Sequence, residues 1–323
     1  MASVAQPPTP IAGKGRDSVR SWPLGDQIAY GVSWGTGLLL CVIAGAIVLF
    51  MLFKGLSYLR LSLLFSSPSP SLDQSQSGGF LDPIEGTLLL TTIGTLIAAP
   101  IGISIGSWLS EHARPRWLAR MVESGVEMIA GVPSIVLAIF AILVFSKPVF
   151  AFLSETSSGG SVFARSFINA GLMMSLIALP LIVGATREAL NQVPAHVREA
   201  SYALGHTKAT TLRRVLLPAS RPGIATGIVL GMGRIIGDTA IVLIVLGQTA
   251  RLEPAGGTPV LSLLRGTGST LTSYVYENSP AGEGHAPQKA YAAAFVLLMM
   301  VLAINAIAMR LSRGAGEAVQ WIR

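Results

Sequence analysis

The sequence predicts an all-α membrane protein with six transmembrane helices, and three observations point to it. Of 323 residues, 51% are hydrophobic and only 12% charged, whereas a soluble domain carries about a quarter charged. Mean hydropathy is +0.61. The apolar residues gather into six runs, each near the roughly 20 helical residues needed to cross a hydrocarbon core of about 30 Å. Lys and Arg concentrate in alternate loops.

Residues 1–25 are polar and rich in Pro and precede the first apolar run by too far for a standard signal peptide. They are read as a disordered cytoplasmic tail, with 26–323 forming one transmembrane domain. The runs fall at about 28–53, 84–110, 123–145, 167–186, 223–247 and 291–310. No water satisfies backbone groups in a bilayer core, so each run should be helical. Pro100, Pro133 and Pro180 lie inside three of them, where kinks are expected. Gly94, Gly102 and Gly106 mark close helix contacts. Met173, Met174, Met299 and Met300 read as packing or lipid-facing residues.

Short cytoplasmic loops retain basic residues. Fifteen Lys and Arg fall in the N-terminal tail, the second and fourth loops and the C-terminal tail, against seven in the intervening loops. This asymmetry puts both termini in the cytoplasm of a multi-pass protein of the plasma (inner) membrane, and accounts for the net charge of +7 without nucleic acid. The external loops, about 54–83 and 251–288, are rich in Ser, Gly and Pro and read mostly as flexible connections. Residues 260–276 are more amphipathic than a linker needs and are open to a short interfacial or re-entrant element.

Chemistry is more sharply bounded. Cys41 is the single cysteine, so no intrachain disulfide or thiolate metal cluster can form. No G-x-x-x-x-G-K-[ST] phosphate cradle occurs, and no nucleophile, base and orienter set or metal-ligand spacing stands out. No catalytic residue and no metal ligand is therefore assigned, and the chain is expected to hold no cofactor. His112, His196, His206 and His285 lie in or beside loops and read as solvated. Glu123 and Glu127, with Arg120 nearby, fit either an inner gate or an interfacial salt bridge.

The fourth cytoplasmic loop, about 187–221, is the most specific segment. Helix formers from Glu199 to Leu204 are followed by Gly205, which can take a left-handed helix-ending conformation. Thr207 can cap a second short helix running through Arg214, and Leu217-Pro218 should stop it. The expected product is a compact helical knob.

In the fifth run, Arg234 lies roughly 18 Å along the helix from Pro222 at about 1.5 Å per residue, near the bilayer centre. Asp238 stands four residues on, within reach on one helical face, and Gly223, Gly227 and Gly231 are assigned to that face. Two readings stay open: a structural ion pair, or an anion site in which Asp238 orients the Arg234 guanidinium toward a tetrahedral oxyanion.

The loop resembles the EAA loop of ABC importer permeases, whose pattern is EAA, three residues, G, nine residues, I, one residue, LP. Glu199, Ala200, Gly205, Leu217 and Pro218 match it, with Ser201 for the second Ala and Val215 for the Ile. The segment from Arg234 to Ala240 resembles the R-x-x-G-E-T-A stretch of phosphate-importer permeases, with Asp for Glu. Gly131 to Val136 (GVPSIV) and Arg198 to Gly205 (REASYALG) are similar to the A-type permeases (PstA) of that system.

The resemblance covers about 28–310 and implies a MetI-like permease bundle docking on a separate ATPase through that loop, with ATP and Mg used by the partner. It further implies a second permease in a heterodimer, two ATPase subunits, an external phosphate-binding protein, and phosphate as cargo. Another oxyanion such as sulfate or molybdate, and a non-transporting membrane scaffold, remain alternatives.

Overall fold

The computed structural model describes residues 23–68, 78–154, 162–247, 252, 259–280, 282 and 286–317. The expected N-terminal tail lies almost wholly outside them. The described residues are overwhelmingly helical, with isolated bridges and no named strand.

The chain divides into two compact units at Leu52 and Phe53. Within the first lies most of α1 (Leu24–Tyr58), a 35-residue helix whose apolar stretch is exposed along its length. The second unit begins with the end of α1 and α2 (Leu61–Leu64). It continues through α3 (Leu81–Glu111), α4 (Arg116–Gly131), α5 (Ser134–Phe145), α6 (Phe167–Asn191), α7 (Ala195–Ala203), α8 (Lys208–Ala219) and α9 (Arg221–Gly237). A short π-helical segment (Val242–Leu246), α10 (Pro259–Arg265), α11 (Leu271–Asn278) and α12 (Pro287–Glu317) complete it.

Helices α1, α3, α6 and α12 are each long and apolar enough to cross a membrane, and the total reaches the expected six where each of two bent pairs, α4 with α5 and α8 with α9, counts as one crossing. The third crossing departs from expectation. Instead of a kinked helix over 123–145, α4 and α5 meet at 104°. Val132 and Pro133 are extended between them (ψ 127° and 136°), because a residue before proline is pushed out of the helical region. Pro100 and Pro180, by contrast, sit inside unbroken helices.

The core is built around α6, buried over most of its length. Small residues let its neighbours close on it. A Cβ at Gly102 would stand 2.7 Å from Ile182, and one at Gly106 2.8 Å from Thr186, so α3 can approach only without side chains there. α9 lies against α6 in the same way, with Gly223 against Ala189, Gly227 against Ala185 and Gly231 against Ile182. Met173 and Met174 are buried in this core, and Met299 is exposed.

The amphipathic segment expected outside the membrane is structured over 259–280. Leu271 and Tyr274 are buried with Phe80, Ala292 and Ala293. Thr270 caps α11 in a capping box with Ser273, and the Leu271 N–H donates to Thr87 Oγ1 at 2.9 Å. The alternative of an ordered element in this loop is therefore the one realised.

Candidate functional site

The knob expected after α6 is present. The N–H of Gly205 donates to the Tyr202 carbonyl at 2.9 Å, and Gly205 takes φ +79°, the left-handed value that ends α7 with little strain only in glycine. Thr207 then caps α8, accepting from the Thr210 N–H at 3.3 Å. Leu204 at the turn is 79% exposed and Tyr202 41%. Glu199 and Ala200 are exposed beside them. The turn thus presents an exposed apolar tip.

The second helix does not stop at Leu217-Pro218. It continues to Ala219, with a π-helical stretch at Leu212–Leu216 in which the Leu217 N–H reaches back to the Leu212 carbonyl. Proline donates no hydrogen bond and its ring crowds the carbonyl four residues before it. A π-bulge widens the turn and accommodates it. Leu217 packs beside the buried Leu190, Val193 and Leu216, so this end of the motif seats the knob. Ser220 ends α8, donates its Oγ to the Ala189 carbonyl at 3.1 Å, and α9 departs at 71°.

Two residues absent from the predicted site hold the knob. Ser201 is 4% exposed, and its Oγ lies 2.9 Å from Thr211 Oγ1 and 3.1 Å from His206 Nδ1. It ties α7 to α8, and His206 is a partner in this link where the sequence suggested a solvated ring. Ser201→Ala would strand the fully buried Thr211 hydroxyl, a cost of about 1–3 kcal/mol. Faster amide exchange across 195–219, with exchange in α6 unchanged, is the expected outcome.

Arg198 is the second. Its guanidinium donates to Glu111 Oε1 at 3.2 and 2.9 Å, to the Val193 carbonyl at 2.6 Å and to the Leu190 carbonyl at 2.7 Å. The side chains are 21% and 13% exposed. One planar fork thus joins α7 to the last residue of α3 and to the open carbonyl end of α6. Glu123 pairs with Arg187. This is the interfacial salt bridge left open above, with a partner other than Arg120.

The expected Arg234–Asp238 pair is not formed. α9 ends at Gly237, and Asp238 is extended at ψ 127°. Its Oδ1 accepts from the Ile241 N–H at 3.0 Å, so it caps the helical turn that follows the break. Asp238 is 5% exposed, while Arg234 is exposed and makes no hydrogen bond or ion pair among the described residues. The glycine stripe faces α6 and continues into the buried Ile235, one position away from Arg234. The arginine therefore points off the packed face. Non-helical backbone at membrane depth is tolerated where it lines a cavity or meets protein, and such broken helices commonly carry substrate sites.

The family described as "Binding-protein-dependent transport system inner membrane component" matches residues 98–315. The chain is 30% identical over 256 residues to the phosphate transport system permease protein PstC of Xylella fastidiosa (strain 9a5c), covering 74% of this chain and 76% of that protein. It is 32% identical over 234 residues to PstA 1 of Mycobacterium tuberculosis (strain H37Rv), covering 72% and 70%. The likeness thus takes in permeases of both PstC and PstA names. Among solved structures, the inward-facing MetNI methionine ABC transporter matches with TM-score 0.57 at 20% identity, over 73% of this chain and 95% of that one. The bacterial alginate ABC transporter matches with TM-score 0.61 at 17% identity, over 90% and 96%, and both likenesses concern the fold. With its knob, broken fifth crossing and six-helix arrangement, the chain belongs to the binding-protein-dependent transport system inner-membrane components, the permease subunits of ABC importers.

Proposed function

We propose that this chain forms half of the translocation pathway of an ATP-driven importer of inorganic phosphate. In the assembly it pairs with a second permease as a heterodimer, carries two Mg-ATP-hydrolysing subunits on the knob side, and receives phosphate from an external binding protein. Both termini and the knob face the cytoplasm. Support for the cargo comes from the relatives named as phosphate permeases and from the segment Arg234 to Ala240.

The observation that carries the reading is Arg234, exposed and without a partner among the described residues at the end of a broken helix. An unpaired charge at bilayer depth costs about 2.5–3.5 kcal/mol on insertion scales. That cost is offset when the guanidinium meets an anion, whose oxygens match its planar donors. Asp238 acts one step removed, by fixing the break that leaves Arg234 at a helix end. Closure of the ATPase dimer draws the 199–218 loops together, and the pull passes through Ser220 into α9.

Arg234→Gln should lower phosphate uptake by assembled complex in vesicles by roughly 10–100-fold, the worth of a charge-assisted contact of about 1.5–3 kcal/mol. The ATPase should still co-purify. Uptake unchanged in an assembled complex excludes the anion-site reading. Competition by sulfate or molybdate as strong as that by unlabelled phosphate reassigns the cargo.

A further inference from the structure

The transport reading leaves unused a cavity of about 290 Å³ between the end of α3 and α8. Ser104, Ser107, Trp108 and His112 line it from α3, and Arg213 and Leu217 from α8. Ile103 and Leu212 complete a lining that is mostly apolar, in which Arg213 and the His112 ring are the groups able to meet an anion. Arg213 is exposed and, like the His112 ring, makes no side-chain hydrogen bond or ion pair among the described residues. Carboxylates that would compete are occupied: Glu111 by Arg198 and Glu123 by Arg187. Between residues 98 and 122 and between 203 and 237, Glu111 is the sole acidic residue, whereas Arg114, Arg116, Lys208, Arg214 and Arg221 add positive charge.

Ser107 supplies an independent observation. It lines the cavity at 5% exposure, and its Oγ, buried from solvent, has no hydrogen-bond partner among the described residues. Ser104, one turn earlier, shows the usual resolution, donating to the Pro100 carbonyl at 2.6 Å. A buried hydroxyl left unpaired costs about 1–3 kcal/mol, and such a group calls for a specific explanation.

We infer that this cavity binds a phosphate oxyanion from the knob side, held by Arg213 and His112 with Ser107 as an additional donor, and that occupancy brakes transport. The anion is either free inorganic phosphate or the phosphodiester headgroup of an acidic lipid. Braking follows from position. The site is walled by α3 and by the second helix of the knob, so an occupant fixes the spacing of the two parts through which a push from the ATPase enters the bundle. The inference rests on the transport reading for its main readout and extends it to control from the product side.

The test uses the whole complex in vesicles with its ATPases in the lumen, reading initial phosphate uptake and, in parallel, ATP hydrolysis. In phosphatidylcholine vesicles, luminal phosphate should slow the unaltered complex by at least about five-fold, the lower range of a site-to-site coupling. If the lipid headgroup is the ligand, luminal phosphate has no effect and adding phosphatidylglycerol to the vesicles slows it instead. For Arg213→Gln with His112→Gln, and separately for Ser107→Val, the ratio of braked to unbraked rate should return toward one, whatever each variant's own starting rate. An unaltered complex insensitive to both additions, or variants with the unaltered ratio, overturns the inference. If no vesicle takes up phosphate, the transport reading fails, and the ratio of ATP hydrolysis rates still decides this one.

Discussion

Replacing Gly205 with proline should leave the helical bundle assembled and abolish the stimulation of ATP hydrolysis by phosphate-loaded binding protein. Proline is locked near φ −65°, and Gly205 sits at +79°. The substitution also removes the N–H that donates to the Tyr202 carbonyl at 2.9 Å. The left-handed turn cannot form, so α7 and α8 lose their angle and the exposed Leu204 tip is misplaced. Beyond its two chain neighbours, no atom of the described residues lies within 4 Å of a Cβ built at Gly205, so the damage should stay within the knob. Gly205→Ala separates geometry from bulk: it adds only left-handed strain of about 1–2 kcal/mol and should retain most stimulation. A proline variant that couples normally would show that the ATPase docks elsewhere.

Arg198→Ala is expected to have the next largest effect, by a different route. The change leaves Glu111, 13% exposed, without its cation, and strips donors from the Leu190 and Val193 carbonyls. Removing one member of a buried pair costs about 3–5 kcal/mol, and the residual exposure here places the loss at the lower end. The knob should stay folded, because Ser201, His206 and Thr211 hold it internally, but lose its fixed seat on α3 and α6. The expected result is ATP hydrolysis that persists while phosphate moved per ATP falls. Arg198→Lys should fall between, since an ammonium cannot reproduce the fork. A double-mutant cycle with Glu111→Ala measures the pair itself. Unchanged coupling in the single variants would remove this strut from the force path.

In the proposed cycle, force on the knob would have two ways into the bundle, and both pass beside the inferred anion cavity. One runs through Arg198 and Glu111 into α3. The other runs along α8, through the Ser220 bend, into the helix that carries Arg234. A ligand between α3 and α8 would span the two, which would give a small anion there leverage over a large cycle.

The fifth crossing shows where periodicity misled. An apolar run over 223–247 reads as one helix, and four-residue spacing then pairs Arg234 with Asp238. The signal for a break was present: Gly237-Asp238 ahead of Thr239-Ala240 is a helix stop followed by a capping residue. Hydropathy, which averages over such a window, hides it. Ser201 was similarly legible only as a tolerated departure from a motif, since a buried hydroxyl and a small apolar side chain are alike in volume and differ only in what surrounds them.

What the sequence determined by itself is local or additive. Crossings follow from summed hydropathy, and the turn at Gly205 and the cap at Thr207 follow from the conformations that single residues favour. The absence of a nucleotide cradle in the chain is likewise a matter of reading it through. Tertiary structure alone decided which polar groups meet. Arg198 and Glu111 are 87 residues apart, and no period or propensity relates them. Packing of the glycine-lined faces of α3 and α9 on α6 brings the knob end together, sets Glu111 against Arg198, and leaves Arg234 and Arg213 without partners among the described residues. Side-chain pairing depends on three-dimensional proximity under a desolvation penalty, so it is settled only once the helices have packed.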